Sequence, residues 1–432
     1  MAQFPLPSAL FPEVKLSSPQ TADFFGAREQ LLASTMGARD QFRRRMRSRM
    51  NPAQWKVVKR RRHVADMLHP SKDASRFTIY RPRSGSHIPR PCEAGTCSPL
   101  LVGVGTVDGT LDDIALGLTS TTTQGHRSGA AVLHSDVVDS RVLSTLETPT
   151  PDSPFEYLGF KWMARAPIPM FKSFVRPRDY MYLEATGFRT DPTTGERTFH
   201  LLVHSVTINC YRSFENDYGI VRGTMSFGFL FSEGEANGRV DVFCKGYVDP
   251  SGSAMEQVAI SSAVDAMIGY CEKAWRAGAS KKLGWLVQER CRREEQGDID
   301  VDTHERCVGC RASSPSGLET CDACGRSVCA PCRQQAPVIF PATSTSAVLS
   351  RHGNQLNGQT RLNVCEHCAL YARRVDASRV AYEEAVEAVR AMRQHAFSVN
   401  SNGCRGDSSE RTKLAPLKKR SLSSAACRGI IV

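Results

Sequence analysis

Sixteen cysteines stand in this 432-residue chain. Eight of them form four C-x-x-C pairs: Cys307/Cys310, Cys321/Cys324, Cys329/Cys332 and Cys365/Cys368. The gaps between pairs are ten, four and thirty-two residues. A C-x-x-C turn presents two thiolates to one ion, and zinc takes four such ligands in a tetrahedron. Four turns therefore predict two closed Cys₄ sites and two Zn²⁺. A closed site keeps no position for water, so its role is structural rather than catalytic. A segment this poor in apolar residues depends on its metal to fold. Disulfides are the competing use of paired cysteines, and they belong to oxidising compartments. The N-terminus, MAQFPLPSALFPEVKLSS, lacks the charged and then apolar regions of a secretory leader, which favours metal.

Other chemistry is sparse. The 11 histidines are scattered, and no G-x-S-x-G, H-E-x-x-H or G-x-x-x-x-G-K-[ST] occurs. VGVGTVDG (102–109) lacks the third glycine of a dinucleotide loop and reads as strand and turn. The expectation is a protein that is not an enzyme.

Charge is concentrated. Of the formal +12, most lies between Arg39 and Arg62, where eleven Lys/Arg face one acid, Asp40. FRRRMRSRM (42–50) and KVVKRRRH (56–63) suit an anionic lipid surface, and they and PLKKR (416–420) also fit nuclear-localisation signals. The bland reading is a solvated helix face. Nucleic acid is not the expected partner, because only Trp55 interleaves the bases. No apolar run reaches 18 residues, so no membrane-spanning helix is expected. Ala2 excludes myristoylation, and Cys427 is misplaced for prenylation. Cytoplasmic residence follows, with a peripheral place on endosomal membranes or in the nucleus left open.

The elements that must position these residues are legible from periodicity. Residues 1–20 are Pro-rich, and the composition of Ala22–Leu68 suits helix interrupted at Pro52. LLVGVGTV (100–107) reads as a strand, with Asp108 or Thr110 capping a short helix after it. No period emerges over 119–155. Five strands follow, beginning at Tyr157 and spanning 178–188, 196–208, 219–232 and 238–249. Met225, Phe227, Phe229 and Phe231 alternate along the fourth. A long helix then runs toward Trp275, with Ile260, Val264, Met267, Cys271 and Trp275 on one face. Consecutive antiparallel strands closed by one amphipathic helix give an α+β domain. Residues 286–303 read as a linker, 378–397 as a helix, and 398–432 as a disordered basic tail.

Two resemblances follow from these patterns. The run CVGC…CDACGRSVCAPCR…LNVCEHC resembles a FYVE-type zinc finger, through the four-residue gap, Gly325 after the fourth cysteine, and the late V-C-x-x-C. That resemblance implies interleaved sites. One ion would take Cys307, Cys310, Cys329 and Cys332, and the other Cys321, Cys324, Cys365 and Cys368. Spacing alone also allows sequential pairing. Three departures stand out. The family's basic R-[RK]-H-H-C-R motif is replaced by Gly317, Leu318, Glu319, Thr320, Cys321 and Asp322. Its W-x-x-D is missing, and Asn363 stands where an Arg is usual. Phosphate recognition needs Arg, Lys or clustered donors, so binding of phosphatidylinositol 3-phosphate is not expected from this pocket. A zinc-stapled module for protein contact or stability is the better fit.

The strand block and its closing helix, with VDGTLDDI, KWMARAP, VRPRDYMYLE and the DPSG turn, resemble a START-like lipid-binding domain. START-like followed by FYVE-like is an architecture similar to that of oomycete and plant-pathogen proteins. The implied fold is α+β: a helix-grip domain, its curved antiparallel sheet around a long C-terminal helix, plus a small two-zinc finger. The implied boundaries are 1–54 for a flexible, basic helical N-terminal region, 55–285 for the START-like domain, 286–303 for a linker, 304–373 for the finger, 374–397 for a helix and 398–432 for the tail. An apolar cavity between sheet and helix would be lined by Met225, Phe227, Phe229, Phe231, Val264, Met267 and Ile268. Ordinary core is the competing reading of those seven. Arg178–Asp179 reads as a structural ion pair. The expected function is non-enzymatic lipid binding or transfer, with one hydrophobic lipid in the cavity. The finger or the basic N-terminal segment would dock an anionic membrane or a protein. A protein-interaction adaptor without lipid is the alternative. A RING-like ubiquitin ligase fits less well, since all eight ligands are Cys.

Overall fold

The computed structural model describes residues 3–12, 14, 16–45, 49–62, 75–84, 98–166, 176–208, 210–234, 238–251, 256–297, 306–313, 317–341 and 360–401. PLKKR, the centre of FRRRMRSRM, His63, most of the 398–432 tail and residues 298–303 of the expected linker lie outside them.

The chain builds one large antiparallel sheet. Its strands are β1 (Trp55–Arg62), β2 (Ser75–Pro82), β3 (Leu101–Asp108), β4 (Val137–Glu147), β5 (Tyr157–Arg165), β6 (Arg178–Thr190), β7 (Arg197–Ser205), a two-residue β8 (Val221–Arg222), β9 (Thr224–Glu233) and β10 (Arg239–Asp249). Their spatial order is β1-β2-β3-β10-β9-β7-β6-β5-β4, with β8 joined in parallel to the start of β6. Between β3 and β4 lie α2 (Leu111–Leu118) and α3 (Thr123–Leu133). Thr110 caps α2 by accepting from the Asp113 amide at 3.1 Å, and Thr122 caps α3 the same way through Gly125. One helical turn, α4 (Glu215–Tyr218), precedes β8.

The concave face carries an apolar cluster gripped around α5 (Glu256–Glu272) and α6 (Ala274–Glu295). This is the α+β helix-grip architecture, reached because β9 and β10 turn their alternating apolar residues, Met225 to Phe231 and Val240 to Cys244, to the gripped helices. Two glycines set the depth of the grip. A methyl on Gly278 would lie 2.2 Å from the Asp113 carbonyl oxygen, and one on Gly117 would lie 2.1 Å from that of Ala274. Any side chain at either position would push α2 and α6 apart.

The convex face is apolar too. Leu158, Phe160, Leu183, Ala185, Leu202, Leu230 and Phe243 need a second cover. It comes from α1 (Ser18–Arg45), which buries Leu32, Ala38 and Phe42 against them. Arg43 clasps Glu196 through two bonds of 2.9 Å, and Lys245 reaches the Ser34 carbonyl. Upstream, Leu6 is buried and donates its amide to Asp139, while the Phe11 ring sits 4.8 Å from Trp162. The N-terminal region expected to be flexible therefore lies on the sheet wherever it is described.

Two further elements differ from expectation. Residues 55–62 are an edge strand, not a helix. Trp55 packs under α1, Val58 packs on the concave cluster, and the exposed Lys and Arg suit an unpaired edge. The expected linker is helical as far as Glu295, because Leu283, Val287 and Cys291 recur every four residues and bury against the finger. Over 119–155, where no period was legible, α3 and β4 are found.

The finger contributes two small hairpins, β11 (Glu319–Thr320) with β12 (Ser327–Val328) and β13 (Arg333–Val338) with β14 (Thr360–Cys365). After them come α7 (Glu366–Arg374) and α8 (Ala377–Ser401). Among the described residues, no helix is long and apolar enough to cross a membrane.

Candidate functional sites

The eight paired cysteines converge in two groups. Cys307 and Cys310 meet Cys329 and Cys332, and Cys321 and Cys324 meet Cys365 and Cys368, with all sulfur atoms of a group within 4.8 Å of one another. This is the interleaved arrangement. Tetrahedral zinc–thiolate bonds of about 2.3 Å place sulfur atoms about 3.8 Å apart. The Cys310–Cys329 and Cys324–Cys365 sulfurs are 3.7 Å and 4.0 Å apart, so both groups fit such an ion. Backbone amides already point at the sulfurs: Gly309 and Cys329 donate to Cys307, and Cys365 donates to Cys321 at 3.2 Å. Amides aimed this way favour thiolate over thiol. Gly325, at φ +78°, makes the left-handed turn after Cys324. The structure thus holds two Cys₄ groups positioned to hold metal ions.

Around Glu319 and Asp322 the residues form a closed polar network. The Asn363 amide donates to Asp322, its side chain donates to Glu319 at 2.9 Å, and Gln335 donates to Asn363. Arg333 is paired with Glu319. An anionic headgroup would meet two carboxylates there.

The second site is the interior of the grip. Met225, Phe227, Phe229, Phe231, Val264 and Met267 are buried in the concave cluster, and Ile268 packs against it half-buried. Phe227 and Phe229 stack at 5.6 Å, and Phe229 meets Tyr270 of α5 at 5.1 Å. The apolar stripe therefore faces the gripped helix and is in contact with it.

Toward β5 and β6 the interior turns polar, and sequence reasoning missed these residues. Lys161 and Glu184 form an ion pair with side chains 0% and 4% exposed. Burial raises the Glu184 pKa and lowers that of Lys161, while each partner opposes the shift of the other. The Lys161 ammonium also lies 4.6 Å from the centre of the Tyr157 ring. Tyr182 shares a 3.1 Å hydrogen bond with His126, and Arg165 makes two bonds to Asp136. Burial drives His134 down to about 3, so it is neutral at physiological pH. The available signal was a lone Lys in YLGFKWMAR and a lone Glu in YMYLEATG, each at an inward position of a near-continuously apolar strand. Asp179 is fully buried, but its partners are Trp162 and Arg222 rather than Arg178. It is structural.

No protein-family model matches the chain, and no curated protein matches it. Among solved structures, human StAR-related lipid transfer protein 5 aligns at 15% identity and a TM-score of 0.34, over 57% of this chain and 96% of that one. Human STARD10 aligns at 12% identity and 0.36, over 68% and 93%. A STAR-related lipid transfer protein fragment from Xanthomonas axonopodis aligns at 17% and 0.33, over 52% and 98%. These values are too low to carry a property from those proteins to this chain.

Proposed function

We propose that the chain is a non-enzymatic lipid-binding or lipid-transfer protein whose grip holds one hydrophobic ligand and whose finger is a docking module stapled by two Zn²⁺. The observation that supports it is the Lys161–Glu184 pair, buried between sheet and helix where the apolar cluster gives way to a polar end of the interior. A buried ion pair costs desolvation that packing residues would avoid. Retaining one suits a site that orients the polar end of an apolar ligand. Lipid transfer is the activity that the names of the aligned structures carry; here it rests on the chemistry of the interior. Zinc, when bound, supplies cross-links in place of a hydrophobic core. Cys307, Cys310, Cys329 and Cys332 would hold one ion, and Cys321, Cys324, Cys365 and Cys368 the other. With Glu319 and Asp322 at the family's headgroup position, docking to an anionic membrane falls to the basic residues of β1, chiefly Lys56, Lys59 and Arg60, which are exposed. A cytoplasmic location with peripheral membrane contact follows from this reading.

Native mass spectrometry of the purified chain after exposure to a lipid extract tests the ligand. One bound lipid per chain, lost in a Lys161→Met/Glu184→Met variant, is expected. A chain that takes up none refutes the reading. Elemental analysis is expected to find two zinc ions per chain, and one after Cys329→Ser.

The adaptor reading has one observation in its favour. Among the described residues, Leu370, Tyr371 and Tyr382 are three of the four exposed large hydrophobics, and all lie on α7 and α8. Exposed Tyr is enriched at protein contacts. A partner whose capture fails on Tyr371→Ala, from a chain that binds no lipid, would favour it.

A further inference from the structure

One end of the polar interior is closed by segments from beyond the grip. A cavity of about 40 Å³ lies there, bounded by Thr119, Thr122, Phe155, Lys281, Phe340 and Glu384 among others. Its inner wall is thin. The Thr119 and Thr186 hydroxyls are 3.4 Å apart, and Thr186 donates to the Phe155 carbonyl. Thr186 stands two residues from Glu184, on the same face of β6. Lys281 spans the wall: its ammonium donates to the Thr119 carbonyl, and it feels both Glu184 inside and Glu384 outside.

The outer wall comes from elsewhere in the chain. Phe340 follows β13 of the finger, and Ala381, Glu384, Ala385 and Ala388 belong to α8. The seat of α8 is made largely of alanines. Ala377, Ala381 and Ala385 are buried there, with Val380 the largest apolar group. A buried methyl removes far less apolar surface from water than the Leu32 and Phe42 that hold α1. Glu384 also works against closure. Its Oε1 is out of solvent with no hydrogen-bond partner, and burial raises its pKa. Swinging α8 away would return that carboxyl to water. The base of α8, by contrast, is pinned. Lys282, 2% exposed, donates to the carbonyls of Arg373 and Val375 and pairs with Asp113 of α2 at 2.6 Å. Beyond that elbow α8 is latched to α6 by partly exposed polar contacts, Trp285 donating to Glu383 at 2.7 Å and Gln288 and Arg292 holding Glu387. Such contacts exchange readily for water, so a helix with little apolar seating and a polar latch has the mechanics of a hinged cover.

We propose that α8, with Phe340, is a lid over this end of the grip, and that a ligand passes Thr119 to reach Lys161 and Glu184 when the lid opens. The passage part rests on the lipid-binding reading; the closure part does not. Two full-length variants push in opposite directions. Ala381→Glu places a charge in the seat and should open the lid. Glu384→Leu removes the carboxyl whose buried Oε1 lacks a hydrogen-bond partner and should close it more tightly. Two readouts apply: amide hydrogen exchange over 116–125 and 148–156, and release of a fluorescent phosphatidylcholine from the loaded chain. Ala381→Glu is expected to speed exchange and release about tenfold, with β6 and β7 unchanged, and Glu384→Leu to slow both. Exchange in both segments indifferent to both variants would overturn the lid. Altered exchange with unaltered release would overturn the passage. If Ala381→Glu unfolds the sheet, exchange in β6 and β7 reports it and Glu384→Leu decides alone. If the native chain takes up no phosphatidylcholine, the passage falls with it, and exchange still decides the closure.

Discussion

Lys161 and Glu184 are worth most as a pair. Removing one partner strands a buried charge at a cost of about 3–5 kcal/mol, whereas replacing both by apolar residues is neutral or stabilising by about 1–4 kcal/mol. Lys161→Met should therefore lower the urea midpoint, and Lys161→Met/Glu184→Met should restore or exceed it while losing the ligand. A double variant that binds lipid as well as the native chain would remove the pair from recognition. His200 supports a second prediction at this scale. It lies on the convex face under α1, fully buried, with neither ring nitrogen hydrogen-bonded. Burial takes its pKa down to about 3. Below the usual value of 6.5 the unfolded chain gains a proton that the folded chain refuses. Stability is then complete above about pH 6.5 and falls as pH drops toward 3, by about 1.4 kcal/mol per unit for each such histidine. His200→Phe should reduce the slope of unfolding free energy between pH 6 and pH 4 by that amount, and an unchanged slope would show that His200 is protonated in the fold. Sequence spacing exposed the metal ligands because eight cysteines at fixed intervals have few other uses. It gave little warning of Lys161 or His200, because one polar residue among apolar neighbours changes neither the length nor the period of a strand.

At the scale of elements, legibility followed periodicity. β9 announced itself by Met225, Phe227, Phe229 and Phe231, since the large apolar side chains face α5 while the alternate positions are mostly small, Ser226, Gly228 and Ser232. β5 is buried along its whole length, on the concave side by the grip and on the convex side by α1 and the N-terminal strap. Its apolar run gave the strand but hid the need for a second cover, so α1 read as a free basic helix. β1 was misread for a related reason. Its Lys and Arg are good helix formers, and only pairing with β2, distant in sequence, makes it a strand. α6 carries this argument into a prediction. Its last turns bury Leu283, Val287 and Cys291 against the finger, in one cluster with Cys307, Cys321, Cys329 and Cys365. Stripping metal with a strong chelator should therefore do more than unfold 306–374. Hydrogen exchange is expected to rise there and in the C-terminal half of α6, with β5 through β10 still protected. Continued protection of Val287 to Cys291 in the metal-free chain would show that α6 stands without the finger.

For the whole molecule, α6 joins grip and finger because it packs in both of their clusters. Ile339 is fully buried in the concave cluster although it follows β13 of the finger, and its amide donates to the Ser280 carbonyl at 3.1 Å. This approach requires Gly284. A methyl there would sit 2.1 Å from the Ile339 carbonyl oxygen, a backbone atom that cannot turn aside as a side chain could. Gly284→Ala sets two effects of opposite sign against each other. Helix propensity alone favours Ala by about 1 kcal/mol. Overpacking a close contact costs about 1–3 kcal/mol, and lifting Ile339 off α6 forfeits its burial as well. The second effect should win if the contact couples the units. The expected result is a lower midpoint for the metal-loaded chain, with faster hydrogen exchange at 333–340 and 377–388 and little change in β6, β7 and β9. The native chain is expected to melt in one transition and the variant in two. A Gly284→Ala chain that is more stable, and still melts in one step, would mean that propensity prevailed. Ile339 would then rest on α6 without holding the finger to the grip.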